Sequence, residues 1–220
     1  MKNKIILIAV LLTGMLASCK KEDQTPSKTV KVHYPVITLN GDAVVALPVG
    51  GSYTDLGAVA TDSIEGYTRN LTTSDVISTD EPGFYSVTYS DINKEGFETK
   101  VQRFVLVSSA SASFDLSGKY QRVQNGVEVN VTKVAPGLFK IDNVGGVANP
   151  SDAIFDAFIG LTTDSTIDLP PQTLVNEYYV EPVSFEDIEL DLSGGDTVMN
   201  WVINSASVFG TSSRTFQKIP

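Results

Sequence analysis

The 220-residue chain holds one cysteine, one histidine and one tryptophan. Cys19 and His33 alone cannot furnish a zinc set. A Ser-His-Asp or Cys-His site would have to borrow its base from His33, in a charged stretch ahead of the first strand-like segment. Neither GxxxxGK[ST] nor GxGxxG occurs, so phosphate-cradling loops of those kinds are excluded, and no cofactor is expected. Positive charge is scarce too: 16 Lys and Arg face 26 Asp and Glu, a formal net charge of −10. Such a surface repels phosphate backbones, so no nucleic-acid partner is expected. The one apolar run, "IILIAVLL" at residues 5–12, falls short of the ~20 residues that span a bilayer. No window shows a 3.6-residue period, while Val, Thr, Ser, Tyr and Phe abound. The pattern predicts an all-β protein.

What is present begins with an address. Lys2 and Lys4 precede the apolar run, and small residues lead up to Cys19, as in a secretory signal. Leu16-Ala17-Ser18-Cys19 resembles the lipobox of bacterial lipoproteins. That resemblance implies cleavage before Cys19, diacylglycerol on its sulfur and an acylated amino terminus. Each buried methylene adds ~0.8 kcal/mol of membrane affinity, so several chains hold essentially permanently. Loss of Lys2 and Lys4 leaves 14 basic residues of the original 16 against 26 acids, a formal charge of −12. Residues 20–34, charged and interrupted by Pro26, read as a solvated tether. Lys20, Lys21, Glu22 and Asp23 resemble the export tags of Bacteroidota surface lipoproteins, which implies an outer-membrane lipoprotein, with display at the cell exterior favoured and the periplasmic face as the alternative.

From residue 35 to 107 short strands recur between Gly, Asn and Asp turns, the spacing of a β-sandwich. In "GFYSVTYSDI", Tyr85, Val87 and Tyr89 share one face, and Phe84, Ser86, Thr88 and Ser90 the other. Glu81, Gly83, Tyr85 and Val87 look like a tyrosine corner, whose phenol bonds back to the upstream backbone. "PVITLNGD", "GGSYTDLGAVATD", "PGFYSVTY" and "QRFVLV" together resemble the bacterial Ig-like domain first described in pesticidal crystal proteins, which recurs on Bacteroidota surface lipoproteins. The resemblance implies an Ig-like β-sandwich acting as spacer or adhesion module, with no catalytic residues. Asp91, Asn93, Glu95 and Gly96 match the opening of a calcium loop, but the closing acid is replaced by Gln102. A hairpin turn needs the same residues, so no metal is assigned and the three side chains stay a weak candidate.

"SSASAS", residues 108–113, reads as a flexible linker, and residues 114–220 as a second β-rich domain of eight to ten strands, a small barrel or sandwich. "AIFDAFIGL" fits a short helix or a buried strand equally. Gly118-Lys119-Tyr120 and Arg214 resemble the Gly-x-Trp start and ring-covering Arg of calycin barrels, with Tyr for Trp. "SGKYQRV", "TKVAPGLFKIDNVGG" and "RTFQK" resemble, in order, the C-terminal half of two-domain Bacteroidota lipoproteins that often accompany polysaccharide-uptake machinery.

Two kinds of chemistry remain. Asp187 and Glu189 lie on one face of "FEDIELDL", at the ~6.6 Å spacing of alternate strand residues, within the ~6.5–9.5 Å of inverting glycosidase pairs. A catalytic pair needs one desolvated acid across a cleft, and this row reads as a solvated face. Tyr178, Tyr179 and Trp201 are aromatic candidates for stacking on sugar, with Trp201 alternating with Met199 and Ile203 as a core residue would. The expectation is a non-enzymatic, lipid-anchored envelope protein. Its Ig-like spacer presents a β-domain that binds glycan or a partner protein, with polysaccharide or an outer-membrane protein as partner. The alternatives are a structural subunit of an outer-membrane complex and a glycosidase.

Overall fold

In the computed structural model, residues 32–74, 76–148, 153–205 and 208–220 are described. The chain divides into two units, Met1–His33 and Tyr34–Pro220. Cys19, the signal segment and residues 20–31 of the tether lie outside the described residues.

The second unit is built from fifteen strands, β1 (Val36–Leu39) to β15 (Ser213–Lys218), and its only helical segment among the described residues is a single 3-10 turn at Ser193–Gly195. The fold is therefore all-β. Strand β1 pairs with β3 (Ala58–Asp62), and β3 with β4 (Tyr67–Leu71). Facing them, β6 (Glu98–Ser108) lies between β5 (Gly83–Ile92) and β2 (Val44–Pro48), the last running parallel to it. Ile37, Ala58, Ala60, Val87 and Tyr89 fill the space between the two sheets. Fully burying a side chain such as Ile37 or Val87 stabilises by roughly 1.5–3 kcal/mol, and each alanine methyl contributes less.

Strand β6 abandons alternation: Arg103, Phe104, Val105, Leu106 and Val107 are all buried. Both of its faces are covered, which erases the period-2 signal. One face closes the sandwich, while Phe104 and Leu106 join Phe84 and Leu138 in a separate cluster against the second module. Gly160 belongs to this contact, because a Cβ there would stand 2.7 Å from both Leu106 and Phe84.

The second module is one nine-stranded sheet, β11-β10-β9-β8-β7-β15-β14-β13-β12. Its members are β7 (Gly118–Arg122), β8 (Glu128–Ala135), β9 (Leu138–Ile141), β10 (Ala157–Thr163), β11 (Thr166–Asp168), β12 (Gln172–Val175), β13 (Val180–Asp191), β14 (Val198–Ser205) and β15. Each ladder joins chain neighbours except β7–β15, which joins the first strand to the last. That order is an up-and-down barrel with one unpaired seam, between β11 and β12. Pro170 and Pro171 occupy the connection across the seam. Inside, Trp201 stacks on Phe216 at 4.9 Å, and its indole N–H donates to the Val144 carbonyl at 3.1 Å. "AIFDAFIGL" supplies strand β10, not a helix.

Three local expectations give way. The "SSASAS" segment is tied down: Ser108 Oγ donates to the Leu161 carbonyl at 2.7 Å and Ser109 N–H to that of Thr162 at 2.9 Å. The two modules therefore share a broad face along β6, where the composition suggested a free hinge. The Tyr85 hydroxyl makes no hydrogen bond among the described residues. A Cβ on Gly83 would stand 2.5 Å from the Tyr85 hydroxyl, so the ring lies back over that glycine while Val87 is buried. Arg214 does not cover Tyr120 either, because its cross-strand partner is Trp201. Tyr120 pairs with Lys218, whose Nζ lies 5.9 Å from the ring centroid.

What pins the sandwich instead is Arg103, only 2% exposed. Its Nε donates to the Asp42 carbonyl, Nη2 to those of Asn40 and Gly57, and Nη1 to Tyr89 Oη and the Asp55 carboxylate. Tyr89 and Tyr53 also donate to Asp55. Burial works against the Asp55 carboxylate, but the two phenols and the guanidinium outweigh it and hold its pKa below the usual value.

Candidate functional site

The seam is where the barrel leaves chemistry exposed. Thr173 on β12 faces Pro182 on β13, and proline has no N–H to give to a ladder. The Thr173 backbone accordingly turns the other way, into the gap, and its N–H donates to Gln102 Oε1 at 2.7 Å. Gln102 Nε2 reaches the Pro171 carbonyl at 3.3 Å. Beside it, Gln172 Oε1 accepts from Phe158 N–H and Gln172 Nε2 donates to the Phe158 carbonyl, both at 2.8 Å. Two side-chain amides thus stand in for the missing strand.

A groove of about 200 Å³ runs along this seam between Lys140, Asp156 and Phe158 on one side and Thr173 and Val175 on the other. It meets a second groove of about 260 Å³ at Phe104, Thr173 and Val175, where Lys100 and Gln102 form the wall. The rings of Phe104 and Phe158 lie 4.9 Å apart at its floor, and Lys140 pairs with Asp156 at its edge. Apolar rings flanked by amides and one ion pair suit a polyhydroxylated ligand or an extended peptide.

Val175 pairs with Val180 across the turn that closes β12 onto β13. That turn carries Tyr178 and Tyr179, 63% and 45% exposed, with Val175 and Val180 exposed beside them. Asn176 builds it: Oδ1 accepts the N–H groups of Tyr178 and Tyr179, and Nδ2 donates to the Ile154 carbonyl at 3.0 Å. Two phenol rings are thereby held in solvent on an anchored turn, an arrangement able to stack on sugar faces.

Of the other candidates, Trp201 is fully buried and leaves the surface set, because its ring fills the barrel. Asp187 and Glu189 are exposed on β13, away from the seam groove. A bulge interrupts the β13–β14 register between Glu186 and Glu189, and Asp187 adopts φ 50° there. Asp91, Asn93 and Glu95 do not converge on an ion-sized space. Asp91 accepts from Tyr67 Oη at 2.6 Å and pairs with Arg69 at 3.2 Å, and Asn93 Oδ1 accepts from Phe97 N–H at 2.9 Å. The Asp91 contacts tie β5 to β4, and the Asn93 bond shapes the β5–β6 hairpin, whose turn takes Gly96 at φ +87°. Gln102, in the place of the closing acid, is spent on the seam. The sequence singled out Tyr178 and Tyr179 but not Gln172, Phe158 or Thr173, whose roles arise from the seam and, for Thr173, from its contact with Gln102 of the first module.

Residues 37–107 match the family of bacterial surface protein Ig-like domains. A lipoprotein from Bacteroides thetaiotaomicron of known crystal structure is similar at 19% identity and a TM-score of 0.41, over 84% of this chain and 100% of its own. Among curated proteins, none matches the chain. The N-terminal module is a bacterial surface Ig-like domain, and the chain is accordingly a cell-envelope protein.

Proposed function

We propose that this envelope protein, with its surface Ig-like domain at residues 37–107, is a non-catalytic, lipid-anchored glycan-binding protein of the outer membrane. The observation that carries the reading is the anchored turn that holds Tyr178 and Tyr179 in solvent beside the seam groove. Each ring offers an apolar face with a polar hydroxyl at its edge, so two rings and a flanking amide suit the modest affinity of a surface capture protein. The Ig-like domain buttresses the barrel along β6 and supplies one wall of the groove through Lys100, Gln102 and Phe104. The two modules bind as one body.

The test is affinity electrophoresis of residues 20–220, with Cys19 removed, through gels containing neutral and acidic polysaccharides. Retardation by at least one polysaccharide, abolished in a Tyr178→Ala/Tyr179→Ala variant, is expected. Unretarded migration through every gel overturns the reading.

A further inference from the structure

The side-chain cluster left without a structural explanation is a pair of arginines inside the barrel. On β7, Tyr120 is buried, and Arg122, two residues on, shares its inward face. On β15, Arg214 and Phe216 are the inward residues. Phe216 pairs with Arg122, so Arg214 is the diagonal neighbour of Arg122, about 7–8 Å away between Cα atoms in such ladders. Two guanidinium groups therefore enter the same end of the barrel side by side.

Neither has a counter-charge. In a chain with 26 acids against 16 bases, no carboxylate among the described residues pairs with Arg122 or Arg214. Backbone carbonyls partly replace it. Arg122 Nη1 donates to Gly145 at 2.9 Å and Gly146 at 3.3 Å, and Arg214 Nη1 to Ser212 at 2.7 Å and Nη2 to Gly210 at 3.3 Å. Arg214 is only 4% exposed, its guanidinium lies 5.3 Å from the Phe209 ring centroid, and its buried Nε donates to nothing. Arg122 Nη2 also makes no hydrogen bond among the described residues. Burial and the Arg122 charge lower the Arg214 pKa to about 10.

The "VGG" stretch exists to let this happen. A Cβ on Gly146 would stand 2.5 Å from Arg122 Cδ, and one on Gly145 2.5 Å from the Phe209 ring. The backbone comes close enough to hold one guanidinium and the ring over the other. Contrast Arg103, every nitrogen of which is engaged and which faces Asp55. A buried cation without its partner is costly, and Arg214 has a second, half-buried cation beside it.

We propose that Arg122 and Arg214 form a binding site for an oxyanion, the carboxylate or sulfate of an acidic ligand. The spare donors, Arg122 Nη2 and Arg214 Nε, belong to the two groups an oxyanion would bridge, and planar guanidinium is the side chain best shaped for it. On an acidic saccharide, this site would select for uronic acids or sulfate esters. It rests on the glycan reading only for the saccharide that carries the oxyanion.

The test uses residues 20–220 and follows thermal unfolding against sodium glucuronate and sodium sulfate, with sodium chloride at matched ionic strength and glucose as controls. Wild type is expected to show a saturable rise of at least about 3 °C with glucuronate and with sulfate beyond the controls. Arg122→Gln, at a half-exposed position, is expected to fold and to need at least tenfold more of either anion; Arg214→Lys is the second variant. Equal behaviour in glucuronate, sulfate and the controls, or a full response in both variants, overturns the site. Retention on neutral polysaccharide without any oxyanion response would remove this site and leave the glycan reading standing. An oxyanion response without retention on any polysaccharide would do the reverse.

Discussion

The carboxamide of Gln172 meets the backbone of Phe158 as a strand would, giving one hydrogen bond and taking one, each 2.8 Å long. The barrel thereby closes across its seam without a ladder. Strand β11 ends at Asp168 and pairs with β10 only from Gly160 onward, so Phe158 has no strand on that side. An unmet backbone N–H and C=O there would be a hazard for edge-to-edge association.

Gln172→Glu tests this closure. A carboxylate can take the Phe158 N–H but has nothing to give the carbonyl, and Gln172 is only 3% exposed. Leaving a buried polar group facing a charge costs about 1–3 kcal/mol. Urea denaturation should show that loss. Unchanged stability would mean the side-chain amide is not what seals the seam.

The Arg103–Asp55–Tyr89 cluster makes two linked predictions. Arg103→Met leaves the Asp55 carboxylate without its partner and should cost about 3–5 kcal/mol. Because the folded-state pKa of Asp55 is depressed, its contribution is present above the unfolded value near 3.9 and lost as pH falls through the folded value. Wild type should therefore lose stability below about pH 4, and Asp55→Asn should lose less over that interval while starting lower at pH 7. Parallel acid limbs for the two proteins would show that Asp55 is not the group responsible.

Tyr178 and Trp201 should separate binding from stability. Tyr178→Ala removes an exposed ring and should move stability by less than about 0.5 kcal/mol, while weakening polysaccharide retention severalfold. Trp201→Ala opens the barrel core where Phe216 stacks, and should cost about 3–5 kcal/mol. Calorimetry beside gel retardation on the same two variants decides it: stability lost in the first, or unaffected in the second, contradicts the assignment of each ring.

Much of this architecture was legible because one face of a strand was wet. "GFYSVTYSDI" is the whole of β5, and Val87 and Tyr89 face the core as alternation requires. Asn40-Gly41 and Pro136-Gly137 both form turns, with glycine φ of +79° and +71°; the first crosses between the two sheets of the sandwich and the second closes β8 onto β9. Legibility failed where two modules meet. Ser108 to Ser113 has the composition of a hinge, yet a neighbouring strand consumes its hydrogen bonds. Tyr85 has the spacing of a corner, but Arg103, eighteen residues on, does the pinning. Gln102 and Gln172 look like ordinary polar strand residues until the seam brings backbone groups to them. Such pairings span up to 71 residues of chain, and no local period encodes them.

That shared face also fixes how the protein should come apart. Gly160 sits where a Cβ would press on Phe84 and Leu106 at 2.7 Å, both of them buried in the contact between modules. Gly160→Val forces the barrel away from the β6 face, and the strain of overpacking is about 1–3 kcal/mol. Wild type should unfold in a single calorimetric transition, since the Ig-like sheet loses its cover when the barrel leaves. In Gly160→Val the transition should split in two, with the barrel and the Ig-like sandwich unfolding separately. Two transitions already present in wild type would show that Phe84, Phe104, Leu106 and Leu138 touch without coupling the modules, and that the groove they frame is not a fixed shape.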